Sequence, residues 1–176
     1  MGNAIRRKLR NRRPQVVLDI GCGFQATNLV QNLDLITEGW GIDYAISPIC
    51  KLPNLKFIEA PVEEALRSLP GGHFDAILFI STLEHLRNPV DALAQCHRLL
   101  TDGGRLIINV PTWYAKPVLE FLAFRFGKST SGINDHKMYY SKRDLWPKLI
   151  EAGFMPNAVR LSYRFLGMVL MADATK

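Results

Sequence analysis

Val16-Val17-Leu18-Asp19-Ile20-Gly21-Cys22-Gly23-Phe24 decides the fold. A short apolar run without alternation reads as a strand buried on both faces, as in a parallel sheet. The run carries an acid near its end, and two glycines follow. Glycine lets the chain turn sharply and lets backbone N–H groups approach a ligand closely. Asp19 selects among ligands, because a carboxylate at a strand tip repels a pyrophosphate and attracts an ammonium group.

Working outward, strand-like and helix-like pieces alternate, the signature of an α/β fold with a parallel sheet. The first strand is about 16–20, and a helix at roughly 26–33 follows with Leu29, Val30 and Leu33 apolar. A second strand ends at Gly41-Ile42-Asp43, and Leu55 to Ile58 is a short third. Pro61 opens a helix carrying Val62, Ala65, Leu66 and Leu69, and Pro70-Gly71-Gly72 stops it. Phe74 to Ile80 is apolar enough to be a central strand. Asn88 caps the next helix, Pro89 suits its first position and Asp91 its positive end. Gly103-Gly104 then leads into a strand from Arg105 to Val110. Residues 114–126 read as an apolar helix and 128–140 as a long loop, so that about 113–140 forms a lid or substrate segment. Ser141 to Asp144 resembles a capping box, Pro147 predicts a bend in the helix that follows, and Gly153 ends it. Residues 154–172 form two last strands joined by a turn.

The 176 residues fit a single domain, 14–176, behind a basic arm at 1–13. With 48% hydrophobic residues the chain can bury a sizeable core. The net charge of +6 is carried by Arg6, Arg7, Lys8, Arg10, Arg12 and Arg13, while the remainder is balanced. Such an arm suits nucleic acid, acidic lipid or an anionic substrate, but a solvated terminus is the ordinary reading. Cys22, Cys50 and Cys96 show no paired spacing, which argues for a reducing compartment. No run reaches the length of a membrane span and the basic start makes a poor signal peptide, so a cytoplasmic location is expected. The four His and three Cys lack metal-ligand spacing, and no metal is expected.

The glycine turn alone is ambiguous. Gly21-Cys22-Gly23-Phe24-Gln25-Ala26 also fits the dinucleotide fingerprint Gly-x-Gly-x-x-Ala, with Asp43 about 20 residues on, where that fingerprint keeps its ribose-binding acid. An acid there can hold the ribose hydroxyls of NAD or of S-adenosylmethionine (SAM). Asp19-x-Gly21-x-Gly23 resembles the first motif of the class I SAM-dependent methyltransferases. Phe74 to Ile80 with Ser81-Thr82-Leu83-Glu84-His85-Leu86 looks like their fourth motif, and Leu99-Leu100-x-x-Gly103-Gly104 through Pro111 like their fifth strand. The resemblance covers about 15–112. Further on, Asp135 to Ser141, Asp144-Leu145 and Ala152-Gly153-Phe154 resemble type 11 bacterial members, which often act on small molecules, glycans or lipid-linked intermediates. No hydride-transfer constellation supports a dehydrogenase.

The resemblance implies a Rossmann-like, seven-stranded, mostly parallel sheet of order 3-2-1-4-5-7-6 with helices on both faces. It implies that Asp19 holds the SAM ammonium and that Gly21, Cys22 and Gly23 pass the methionine moiety. Asp43 then binds the ribose, with Tyr44 beside the adenine. Pro61, Val62 and Glu63 line the adenine pocket, and Ile80 and Ser81 lie under the methionine. Two positions depart from the pattern: Gln25 replaces the third glycine and Pro61 the usual third-motif acid. Both changes are of a kind that weakens SAM affinity.

Methyl transfer can proceed by in-line displacement, so a base is optional and positioning matters most. His85 and His136 are the candidates for proton transfer. Asn109, Trp113, Tyr114, His136 and Tyr139 are candidate substrate contacts, as part of an aromatic group after the fifth strand. The expected activity is methyl transfer to oxygen or nitrogen of a small-molecule, glycan or lipid-linked acceptor, with S-adenosylhomocysteine as product. The alternatives are a SAM-binding protein without activity, an RNA methyltransferase using the basic arm, and an NAD-dependent enzyme.

Overall fold

The structure, a computed structural model, describes residues 2–10, 16–50, 52–117 and 138–176. Its elements are α1 (Gly2–Arg10), β1 (Val16–Ile20), α2 (Thr27–Val30), β2 (Glu38–Asp43), β3 (Leu55–Glu59), α3 (Val62–Ser68), β4 (Phe74–Ile80), α4 (Pro89–Leu99), β5 (Leu100–Pro111), α5 (Lys142–Glu151), β6 (Val159–Arg164) and β7 (Val169–Thr175). The seven strands form one sheet in the order β3-β2-β1-β4-β5-β7-β6. β3, β2, β1, β4 and β5 run parallel, while β7 is antiparallel to both β5 and β6. This is the expected fold.

Strand alternation assigns side chains to two apolar layers. Leu18, Ile20, Ile77, Phe79, Leu106 and Ile108 point to one face, where α3, α4 and α5 bury Leu66, Leu93, Leu99 and Leu145 against them. Val17, Ala76, Leu78 and Ile107 point to the other, where Leu9 of α1 and Leu29 of α2 close over them. Both faces of β1 and β4 are therefore covered, which is why their sequences are continuously apolar. The Asn88 side chain accepts from the Asp91 N–H as a helix cap. Asp144 accepts from both the Ser141 N–H at 2.8 Å and its hydroxyl at 2.6 Å.

Three local expectations change. Residues 2–10 of the basic start are a helix docked on the sheet and not a solvated arm, while Arg12 and Arg13 lie outside the described residues. Leu9 is 1% exposed. Lys8 pairs with Asp173 of β7, and Arg105 of β5 binds both the Lys8 carbonyl at 3.1 Å and Asp173. Arg6 pairs with Asp34. The helix expected at 26–33 is only Thr27–Val30, with a tighter turn at Leu33–Leu35. Its cause is Asn32, whose side-chain amide takes the Asn28 carbonyl at 2.7 Å while its backbone N–H turns to Leu29. Val30, one of the apolar residues of that expected helix, is exposed. Finally, β5 starts at Leu100, not Arg105. Gly103, with φ +76, and Gly104 sit within it, where the β4–β5 register shifts between Phe74 and Ala76. The glycines make a bulge inside the strand. Apart from its first residues, the helix expected at 114–126 lies outside the described residues, as do most of the expected loop 128–140 and His136.

Candidate active site

The parallel strands place the ends of β1, β2, β3 and β4 on one edge, where open α/β sheets bind ligands. A cleft of about 820 Å³ lies there, lined by the loops after β1, β2, β3 and β4. Of the residues singled out in the sequence, Gly21, Asp43, Tyr44, Pro61, Val62, Glu63, Ser81 and His85 line it. Ala60, Glu64, Thr82, Leu86 and Arg87 line it too and were not foreseen. Thr82 and Leu86 belong to the fourth motif itself, and Ala60, Glu64 and Arg87 each adjoin a residue already named.

The glycine loop is held from two sides. The N–H groups of Gly21 and Cys22 donate to the Ile42 carbonyl at 2.9 and 3.1 Å. Gly21 has φ +67, and a Cβ there would stand 2.2 Å from the Thr82 hydroxyl oxygen. Only glycine lets the loop pass this close to the end of β4. Gly23 has φ +75 and open space around it, and its N–H donates to Asp43 Oδ2 at 2.8 Å. Asp43 Oδ1 accepts from the Tyr44 N–H at 2.8 Å. Ser81 also has a positive φ, of 50°, and donates its N–H to the Asn109 carbonyl at 2.8 Å. Such backbone strain in a residue other than glycine collects at functional sites.

Asp19 lies just behind this loop and is wholly buried. One of its oxygens accepts from the Asn28 amide at 3.2 Å, and the other has no hydrogen-bond partner among the described residues. Burial pushes its carboxyl up to about 7, against the Asn28 bond, and the nearby Asp43 charge adds to the rise. A buried carboxylate with an unused oxygen is costly until a cation or donor reaches it.

Other expected residues sit elsewhere. Cys22 turns its thiol away from the cleft into a small cluster with Ala26, Ile46 and Cys50, and burial raises the thiol far above its ordinary range. Ile80 packs with the layer under α1 and α2. Gln25 is exposed, its carbonyl meets the Cys50 thiol, and Ala26 (φ 44) joins Gly21 and Gly23 as a left-handed residue of the loop. Asn109 is buried beside Ser81. Trp113 and Tyr114 are exposed, with the Trp113 ring 5.5 Å from that of buried Tyr139. None of Asn109, Trp113, Tyr114 and Tyr139 lines the cleft. Glu84, to which the fourth motif gave no role, is 1% exposed, leaves one oxygen without a partner among the described residues, and is pushed by burial up to about 7.

The family model described as "Methyltransferase domain" matches residues 3–156. This chain belongs to that family. The resemblance to class I SAM-dependent methyltransferases read from Asp19, Gly21, Gly23 and the fourth motif holds for the chain as a family member. A ubiquinone biosynthesis O-methyltransferase of Dechloromonas aromatica is 31% identical over 109 residues, which is 53% of this chain and 43% of that protein. Its counterpart in Pseudomonas aeruginosa strain LESB58 is 29% identical over 103 residues, 53% of this chain and 43% of that protein. The match thus spans under half the length of these curated relatives. Among solved structures, a SAM-dependent methyltransferase from Archaeoglobus fulgidus superposes with TM-score 0.70 at 17% identity, covering 100% of this chain and 95% of that one. The 1,6-didemethyltoxoflavin-N1-methyltransferase of Burkholderia thailandensis, solved with 1,6-didemethyltoxoflavin and S-adenosylhomocysteine bound, superposes with TM-score 0.71 at 20% identity, covering 99% of this chain and 77% of that one. These structures share its fold.

The residues present fit SAM. The unused oxygen of Asp19 suits an α-ammonium, Asp43 suits a ribose diol, Gly21 lines the cleft, and Gly23 has open space beside its backbone.

Proposed function

We propose that this chain binds SAM in the cleft and transfers its methyl group to an oxygen or nitrogen nucleophile of a small-molecule, glycan or lipid-linked acceptor. The carrying observation is the wholly buried Asp19 carboxyl with an unsatisfied oxygen behind the glycine loop, in the electrostatic reach of Asp43. The relatives support the reaction class, being by name an O-methyltransferase and an N1-methyltransferase.

SAM supplies a methyl group made electrophilic by a sulfonium. The protein's own work is positioning and exclusion of water. Asp19 holds the ammonium end and Asp43 the ribose. Pro61, Val62 and Glu63, at the start of α3, give the adenine a half-apolar wall beside Tyr44. Ser81, held by Asn109, fixes the floor next to β4. His85 lines the same cleft and is the described residue suited to take the acceptor's proton. Trp113 and Tyr139, in tilted ring contact beyond the end of β5, belong to the acceptor side.

Calorimetry with SAM and S-adenosylhomocysteine, followed by a methyl-transfer assay over an acceptor panel, tests this reading. Micromolar binding that is lost in Asp19→Ala and Asp43→Ala is expected. Absence of binding by the folded protein overturns it. Binding with no transfer to any acceptor assigns the chain to inactive SAM-binding proteins.

A further inference from the structure

The turn between β6 and β7 is built in a way that folding alone does not favour. The Gly167 N–H donates to the Arg164 carbonyl at 3.1 Å, closing a turn with Phe165 and Leu166 at its two central positions. Both are left-handed, with φ 49 and 55. Two consecutive left-handed residues are what a type I′ turn requires, and Asn-Gly is the sequence that adopts it readily. Large apolar residues there are strained, and these gain little burial in return. Phe165 is 56% exposed and Leu166 is 100% exposed. A strained, protruding apolar pair points to function outside the fold.

Its surroundings say what it meets. The Thr112 hydroxyl donates to the Gly167 carbonyl at 2.6 Å, and the Thr112 N–H to Met168 at 3.0 Å. The tip therefore stands where β5 ends, on the same edge of the sheet as the cleft and next to exposed Trp113 and Tyr114. On its other flank the Lys142 ammonium lies 5.1 Å from the centre of the Tyr163 ring. Arg164 and Arg143 are exposed beside it. Residues 111–116, 141–143 and 163–168 include Lys116, Lys142, Arg143 and Arg164 but no Asp or Glu.

We propose that this rim docks on an anionic lipid surface, with Phe165 and Leu166 entering the headgroup boundary. Apolar tips, Trp and Tyr at the interface and flanking cations are the combination that such a surface binds. Asp144, the residue after Arg143, is engaged by Ser141, and the excess of positive charge on the described rim favours anionic lipid over a second copy of this chain, which would bring like charge against like. Docking would turn the edge of the sheet that carries the cleft toward the bilayer.

Co-sedimentation with vesicles of phosphatidylcholine alone, or mixed with phosphatidylglycerol, tests the proposal without any cofactor present. The full chain is expected to bind the anionic vesicles and lose most of that binding in high salt. Phe165→Asn with Leu166→Gly removes the apolar tip and relieves the turn, so it folds at least as well. It is expected to weaken vesicle binding about tenfold or more, with SAM affinity unchanged. Arg164→Glu is expected to weaken binding about fivefold or more on anionic vesicles only. Failure of the unaltered protein to bind anionic vesicles overturns the proposal, and so does undiminished binding by the folded double variant. A concentration-dependent dimer abolished by the double variant, without vesicle binding, also overturns it by assigning the tip to a second copy. SAM binding, measured separately, is untouched by any of these outcomes.

Discussion

Asp43, at the tip of β2, accepts a hydrogen bond from the backbone N–H of Gly23, in the loop after β1, at 2.8 Å. One carboxylate thus both fixes the loop and offers itself to a ribose. Asp43→Ala should lower SAM affinity about a hundredfold, since it removes hydrogen bonds made by a charged group at both places. Asp43→Asn, which keeps one acceptor for Gly23, should fall between. Calorimetry on the three proteins orders them, and equal affinity for Ala and wild type would exclude Asp43 from the site.

Asp19 gives that affinity a pH dependence. With its carboxyl pushed up to about 7 by burial, the free protein holds it protonated in acid. The ammonium needs the carboxylate. SAM affinity should therefore rise about fivefold between about pH 6 and pH 8. It should fall again as the α-amino group of SAM deprotonates near about pH 8. Titrations across this range should show the acid limb in the wild type and a flat, weak limb in Asp19→Asn.

Gly21 and Gly23 should respond differently to the same substitution. Gly21→Ala combines a left-handed backbone with a 2.2 Å clash against Thr82, and should cost about 3 kcal/mol or more. Gly23→Ala meets open space and should cost only about 1–2 kcal/mol for its backbone. Urea denaturation of both variants separates the steric demand from the conformational one.

Glu84 sets a stability profile. Its folded carboxyl, pushed by burial up to about 7, keeps its proton where the unfolded chain loses it near its ordinary value of 4.5. The folded state then binds more protons, so stability falls as pH rises from about 4.5 to 7. Asp19 acts in the same sense. Asp173 acts in the opposite one. Burial alone would raise its carboxyl, but Arg105 and Lys8 hold it below the ordinary range, so its contribution is lost only in stronger acid. The apo protein should be less stable at pH 8 than at pH 6. Glu84→Gln should flatten that slope and gain about 2 kcal/mol at pH 8. An unchanged slope in urea melts at the two pH values would exclude Glu84 as its source.

Sequence by itself determined the sheet and the framework of the cleft. β1 and β4 are short continuous apolar runs, and the acids and glycines at their ends follow from local backbone demands that a single stretch of chain displays. Asp43 was legible because its distance from Gly21 is itself a motif. Tertiary structure decided what no local pattern carries. The basic start became a docked helix because Leu9 meets Val17, Leu78 and Ile107, and because Lys8 meets Asp173 from the far end of the chain. Gly103 and Gly104 became a bulge because β4 continues beside them. Cys22 left the cleft because its neighbour Gly41 and the ring of Phe57 gave its thiol an apolar seat. Glu84 drew its character chiefly from burial, and burial depends on everything that folds over a residue and not on its neighbours in sequence.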